Sequence, residues 1–210
     1  MENKKIVACG GTFNPPTLAH ISLAEHIRNQ LNADLVVLIP SKTSYMKSWK
    51  KYQNSDIYPE WLRLETIKSC ETDWLKVDTC EMDGIVSGSS YDTVQYLKQK
   101  YETEDVYFAV GSDKLEEIPR WAKADLFLST EKFIVMQRNN DDIKQIIETN
   151  ETLSAYKNSF IICQTDETYQ DFSSTKVRTL LCSDKKEDRK KAKEFVPEKT
   201  WAILKKYFDC

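Results

Sequence analysis

An apolar run at Lys5-Ile-Val-Ala-Cys9 passes straight into Gly10-Gly-Thr-Phe-Asn-Pro-Pro-Thr-Leu-Ala-His20, and this junction constrains the chain more than any other segment. A strand here meets two glycines, a Pro-Pro turn and a helix with a histidine in its first turn. Lacking Cβ atoms, Gly10 and Gly11 let the backbone approach an anion closely. The helix behind them aims unpaired N–H groups and the positive end of its dipole at the same place. His20 adds a side-chain donor. The segment reads as a phosphate cradle for a nucleotide. It contains neither GxGxxG nor GxxxxGK[ST], so it gives no motif support to a dinucleotide-binding Rossmann site or a Walker-type NTPase.

Length suits a single domain over residues 1–210, with a small C-terminal helical part at about 174–210. Such a chain can bury a core without disulfide or metal staples. Its 30 basic and 33 acidic residues give a net charge of −3, which argues against a broad nucleic-acid footprint. Lys47, Lys50 and Lys51 form a local basic cluster suited to a small phosphorylated ligand. Six cysteines (Cys9, Cys70, Cys80, Cys163, Cys182 and Cys210) occur without a CxxC. They read as reduced, mostly core-filling thiols, with no protein-held metal. No signal-peptide core follows the N-terminus and no apolar run approaches a membrane span. The expected setting is the cytoplasm.

Strands are expected at 5–9, 34–40, 75–79, 105–110, 132–137 and 159–163. Helical patterns fall at 18–31, 59–70, 91–101, 113–118, 141–149, 174–181, 186–195 and 198–208. In the first helix Leu23, Ile27 and Leu31 lie at i, i+4 and i+8, an apolar stripe. The alternation predicts an α/β fold: a Rossmann-like open parallel sheet of about six strands flanked by helices. Residues 41–57 are polar, Lys-rich and without period, and read as a mobile loop near the ligand. Ligands of open parallel sheets sit outside the carboxyl ends of the strands. The cradle, the Lys-rich segment, Gly111-Ser-Asp113 and Ser173-Ser-Thr-Lys-Val-Arg178 each follow an expected strand.

Ser173–Arg178 reads as a helix start with hydroxyls at the cap. The same hydroxyls and amides can hold phosphate oxygens, with Arg178 gripping them through its guanidinium fork. Thr17-Leu-Ala-His20 resembles the signature of the (H/T)xGH nucleotidyltransferase superfamily, whose SSTxxR helix binds the ATP tail. Gly111-Ser-Asp113 followed by Pro119-Arg-Trp121 resembles the pyridine-nucleotide adenylyltransferases. These join nicotinate or nicotinamide mononucleotide to the adenylyl group of ATP and release pyrophosphate.

The resemblance implies that His20 and Arg178 carry the chemistry. It implies ATP contacts from Gly10, Gly11, Thr17, His20, Gly111, Asp113, Ser173, Ser174, Thr175 and Arg178, with Asp113 accepting from a ribose diol. It implies mononucleotide contacts from Thr12, Phe13, Lys47, Thr93 and Trp121. Among these, Trp121 lies by the pyridine ring, Thr93 touches its substituent, and Lys47 (in Tyr45-Met-Lys47, similar to a YxK of the eukaryotic branch) meets the phosphate. Mg²⁺ would come with ATP. Phe133-Ile-Val-Met-Gln-Arg138 matches the family's strand ending in Arg. Departures are Thr17 in place of a first histidine, Ala19 in place of Gly, and the missing bacterial PPHK loop. The eukaryotic aromatic before the TV helix also has no clear counterpart at 80–90. A phosphopantetheine or cytidylyl transferase of the same superfamily, and an inactive nucleotide-binding regulator, stay open as alternatives. So do the choice of mononucleotide and a homo-oligomer.

Overall fold

A computed structural model describes residues 4–48, 56–137, 141–163 and 171–210. Six runs rich in Val, Ile, Leu and Phe pair in parallel: β1 (Ile6–Gly11), β2 (Leu35–Pro40), β3 (Leu75–Val77), β4 (Val106–Gly111), β5 (Lys132–Met136) and β6 (Phe160–Cys163). Their order across the sheet is β3-β2-β1-β4-β5-β6, and every pairing is parallel. The order reverses between β1 and β4, which creates the crevice where doubly wound sheets bind ligands. Both strands at that crevice end in glycine, Gly11 and Gly111.

Continuous apolar runs make central strands that are covered on both faces. One layer joins Ala8, Ile39, Phe108, Val110, Phe127 and Phe133. The other joins Val7, Val36, Leu38, Ile67 and Ile134 around α1 (Leu18–Leu31) and α3 (Glu60–Lys68). In α1 Ile27 is fully buried while Leu23 and Leu31 pack at its margin. Between these helices lies a short α2 (Thr43–Ser48). Further on come α4 (Ser90–Tyr101), α5 (Ala124–Thr130), α6 (Ile143–Thr149) and α7 (Glu151–Ala155). The chain closes with α8 (Ser174–Leu181), α9 (Lys186–Lys191) and α10 (Glu198–Tyr207). Val177, Leu181, Phe195, Trp201 and Leu204 form a third cluster with Tyr58 and Leu62, so the C-terminal helices sit on α3.

Several expectations need correction. Part of the segment expected as a mobile loop, 41–57, is helical: Thr43–Ser48 forms α2, anchored by fully buried Met46, while residues 49–55 lie outside the described ones. One apolar anchor in six residues leaves no period to read. Lys50 and Lys51, like Arg138, lie outside the described residues. The turn after β4 is a 3-10 helix, Ser112–Arg120, that contains Pro119. Residues 186–195 divide into α9 and a 3-10 turn, Ala192–Phe195. β1 runs on through both glycines, because Gly10 and Gly11 stay paired with Ile39 and Pro40. β3 stops at Val77, and the Asp78 carboxylate turns to accept the Cys80 N–H at 2.9 Å.

Candidate active site at the carboxyl ends of β1 and β4

After Gly11 the backbone turns sharply at Phe13, whose φ of 42° lies in the left-handed region. Bulky residues rarely adopt it, and such strain persists only where the surroundings over-determine it. The turn folds the Phe13 ring back over Gly11. A Cβ on Gly11 would meet Phe13 Cζ at 2.9 Å, whereas one on Gly10 would meet nothing closer than Phe108 at 3.7 Å. The space left by Gly11 is therefore taken by Phe13, a role the close-approach argument alone does not give it. The same ring lies 5.3 Å from the His20 imidazole, centroid to centroid.

His20 occupies the third position of α1, and its ring turns back onto the residue that caps the helix. The Thr17 N–H donates to His20 Nδ1 at 3.1 Å, and the Thr17 hydroxyl lies 2.7 Å from the same nitrogen. This is a capping box with histidine in the place usually held by Glu or Gln. An Nδ1 that accepts a backbone N–H carries no proton, so in the neutral ring the proton sits on Nε2. Thr17 is fully buried. Its hydroxyl serves the imidazole, which leaves Nε2–H as the ring's donor.

Beneath the cradle lies a residue that the sequence reading passed over. Arg63 of α3 is fully buried. Its Nε and Nη2 donate to the Thr12 carbonyl at 3.1 and 2.7 Å, and Nη2 also donates to the Ser41 carbonyl at 2.7 Å. Burial pulls the guanidinium down to about 10, against the effect of nearby Glu60. It remains a cation at neutral pH. Asn14, also fully buried, joins three segments. Its side-chain amide donates to the Asp56 carbonyl at 2.6 Å and accepts the Tyr58 N–H at 2.9 Å. Its own carbonyl accepts from Arg178 Nη1 at 2.9 Å.

That last bond joins the two ends of the sequence. α8 starts at Ser173, whose hydroxyl accepts the Lys176 N–H at 3.1 Å, an N-cap. Ser174 Oγ donates to the Pro15 carbonyl at 2.7 Å, and Arg178 Nη2 donates to Thr175 Oγ1 at 3.1 Å. The Ser173–Arg178 motif thus docks directly on the loop that leads into His20. Tyr58 lies under this junction. Burial, then the neighbouring Cys182 thiol, push its phenol up, with Arg178 pulling against them.

Around the mouth of the crevice, Gly111 and Ser112 are buried while Asp113 is exposed, 3.8 Å from Lys114 Nζ. Burial, then the Glu117 carboxylate, push the Tyr45 phenol up. Lys47, exposed on α2, lines a cleft with Thr43, Tyr58 and Glu60. Trp121 is partly buried and edge-on to Phe108 at 6.1 Å. Thr93 is fully buried, and its hydroxyl donates to Glu81 Oε1 at 3.0 Å. Among the described residues no group of three His, Cys, Asp or Glu side chains could hold a metal ion. Of the cysteines, Cys182 is exposed, and burial pushes the Cys9 thiol up to about 12. No helix among the described residues is long and apolar enough to cross a membrane.

Residues 8–180 match the family model described as cytidylyltransferase-like. A probable nicotinate-nucleotide adenylyltransferase of Clostridium acetobutylicum is 30% identical over 206 residues, covering 97% of both chains. One from Listeria welshimeri is 27% identical over 203 residues, covering 97% of this chain and 95% of that one. In fold, the chain is similar to Plasmodium falciparum nicotinic acid mononucleotide adenylyltransferase complexed with NaAD, with a TM-score of 0.72, 18% identity and 98% of each chain covered. With the match running from β1 into the Ser173–Arg178 helix, the chain belongs to the cytidylyltransferase-like family of nucleotidyltransferases, among the nicotinate-nucleotide adenylyltransferases.

Proposed function

We propose that the protein transfers the adenylyl group of MgATP to nicotinate mononucleotide, with nicotinamide mononucleotide as the alternative acceptor, and releases pyrophosphate. The observation that carries this reading is the junction between the two motifs: Arg178 on the Asn14 carbonyl and Ser174 on the Pro15 carbonyl, one turn of chain before His20. One triphosphate could then be gripped at both ends. The activity for which the relatives are named supports a pyridine mononucleotide as acceptor.

In the reaction an oxygen of the mononucleotide phosphate attacks the α-phosphorus of ATP. The bond from that phosphorus to the bridging oxygen breaks, and pyrophosphate leaves with the electron pair and with Mg²⁺. No protein nucleophile is needed, because the attacking phosphate is already anionic. Catalysis then consists of positioning and stabilisation of developing charge. His20 Nε2–H donates to the α-phosphate as charge grows. The Gly10–Phe13 backbone and the Thr12 hydroxyl meet substrate phosphates. Ser173, Ser174, Thr175 and Arg178 hold the departing pyrophosphate. Asp113 takes a ribose diol, and Lys47 and Trp121 face the mononucleotide, whereas Thr93, expected to touch the ring substituent, is fully buried with its hydroxyl on Glu81. Mg²⁺ bound to the ATP phosphates would supply charge neutralisation there, a mode that asks for only one or two protein carboxylates.

We read the chain as one nucleotidyltransferase domain over 1–210 acting in the cytoplasm, with the helical part from about 174 serving the ATP tail. Incubation with MgATP and each mononucleotide, assayed for dinucleotide and pyrophosphate, tests the proposal. Dinucleotide with a pyridine mononucleotide supports it. Product only with phosphopantetheine or a CTP donor, or ATP binding without product, overturns it.

A further inference from the structure

Arg63 is a guanidinium with no solvent exposure and no carboxylate within ion-pair distance among the described residues. Isolating a cation in this way is costly unless hydrogen bonds satisfy it, so its acceptors matter. Two of its nitrogens converge on the Thr12 carbonyl, and one of these also reaches the Ser41 carbonyl. Nη1 lies 3.4 Å from Thr43 Oγ1. The main acceptors are thus backbone, at the end of the cradle and at the end of β2. The strained Phe13 follows Thr12 at once in the chain.

A trans peptide is planar, with its C=O and N–H pointing in opposite directions. Fixing the Thr12 carbonyl on a two-pronged fork therefore fixes the Phe13 N–H, aimed away from the buried guanidinium. Among the described residues no acceptor meets that N–H. Charge-assisted bonds at the carbonyl also polarise the amide and make its N–H a stronger donor. The same turn seats the Phe13 ring against His20.

We propose that Arg63 is a positioning residue: from beneath the cradle it holds the Thr12–Phe13 peptide in its strained left-handed turn, so that the Phe13 N–H is presented to the mononucleotide phosphate. The inference rests on the adenylyl-transfer reading for its substrate, and its structural half stands without it. Lysine keeps the charge but not the fork. Arg63→Lys separates the two.

The test compares wild type and Arg63→Lys by thermal unfolding, by steady-state kinetics in each substrate, and by the ¹⁵N–¹H resonance of Phe13 during titration with inorganic phosphate. In a folded Arg63→Lys protein, KM for the mononucleotide rises about 10-fold or more and KM for ATP changes by less than about threefold, the scale of a displaced positioning contact. The Phe13 resonance responds to phosphate in wild type and not in the variant. Unchanged kinetics, an equal rise in both KM values, or a Phe13 resonance indifferent to phosphate in wild type overturns the proposal. Absence of turnover in wild type would refute the functional reading while the phosphate titration still decides the role of Arg63. Should Arg63→Lys not fold, Phe13→Gly supplies the second arm, because glycine takes a positive φ without strain. Folding recovered in Phe13→Gly/Arg63→Lys supports the clamp, and failure of both overturns it.

Discussion

The two segments proposed to grip phosphate are built on opposite principles. The first, between Gly10 and His20, is over-determined from inside: Arg63 holds its carbonyl, Asn14 pins it to residues 56 and 58, and Thr17 holds the imidazole. The second, at the start of α8, is a half-exposed helix cap whose Ser173 and Thr175 face solvent and whose Arg178 is only partly buried. A rigid donor costs no reorganisation when charge develops, so the first grip suits the transition state. A looser grip can bind MgATP and still release pyrophosphate, so the second suits affinity. Loss of the His20 donor should therefore act on rate, and variants in the second grip on ATP binding.

That division can be broken. His20→Ala should lower kcat by about 100-fold or more, the scale for one preorganised donor, with KM for ATP little changed. Near-normal turnover would remove the imidazole from the chemistry. Gly11→Ala forces a Cβ into the Phe13 ring and should cost about 1–3 kcal/mol of stability, the range for overpacking, measured by denaturant unfolding. A protein as stable as wild type would show that the ring has room to move.

Arg178→Ala should raise KM for ATP roughly 10-fold, the worth of one charge-assisted contact, with kcat less affected. A fall in kcat with KM unchanged would erase the contrast between the grips. Ser173→Ala, which removes the cap bond to Lys176 together with one hydroxyl proposed to meet the pyrophosphate, should cost about 1 kcal/mol of stability and raise KM for ATP less than Arg178→Ala does. An effect on KM as large as that of Arg178→Ala would make the hydroxyl a main phosphate contact.

Much of this was legible in sequence because it is local. The strand runs are continuous and apolar, Gly-Gly closes β1, Gly-Ser-Asp joins β4 to its 3-10 turn, and Ser-Ser-Thr opens α8. α8 has the expected bounds, since Ser173 caps it and Val177 and Leu181 bury one face. The missing parts are long-range. Arg63 stands among Leu62, Thr66 and Ile67 on the buried face of α3, and a cation on an apolar stripe was the available signal. Its partner, Thr12, lies far away in the chain, so periodicity could not reveal the clamp. The hub at Asn14 was equally hidden, for its three partners come from residues 56, 58 and 178. α2 escaped because a single turn and a half anchored by Met46 has no repeat.

A crystal structure with a non-hydrolysable ATP analogue and Mg²⁺ tests the shared triphosphate most directly. The account predicts the α-phosphate within hydrogen-bond reach of His20 Nε2 while the tail phosphates meet Ser174 and Arg178. An analogue bound with its tail away from Arg178, or with no phosphate near His20, would contradict it.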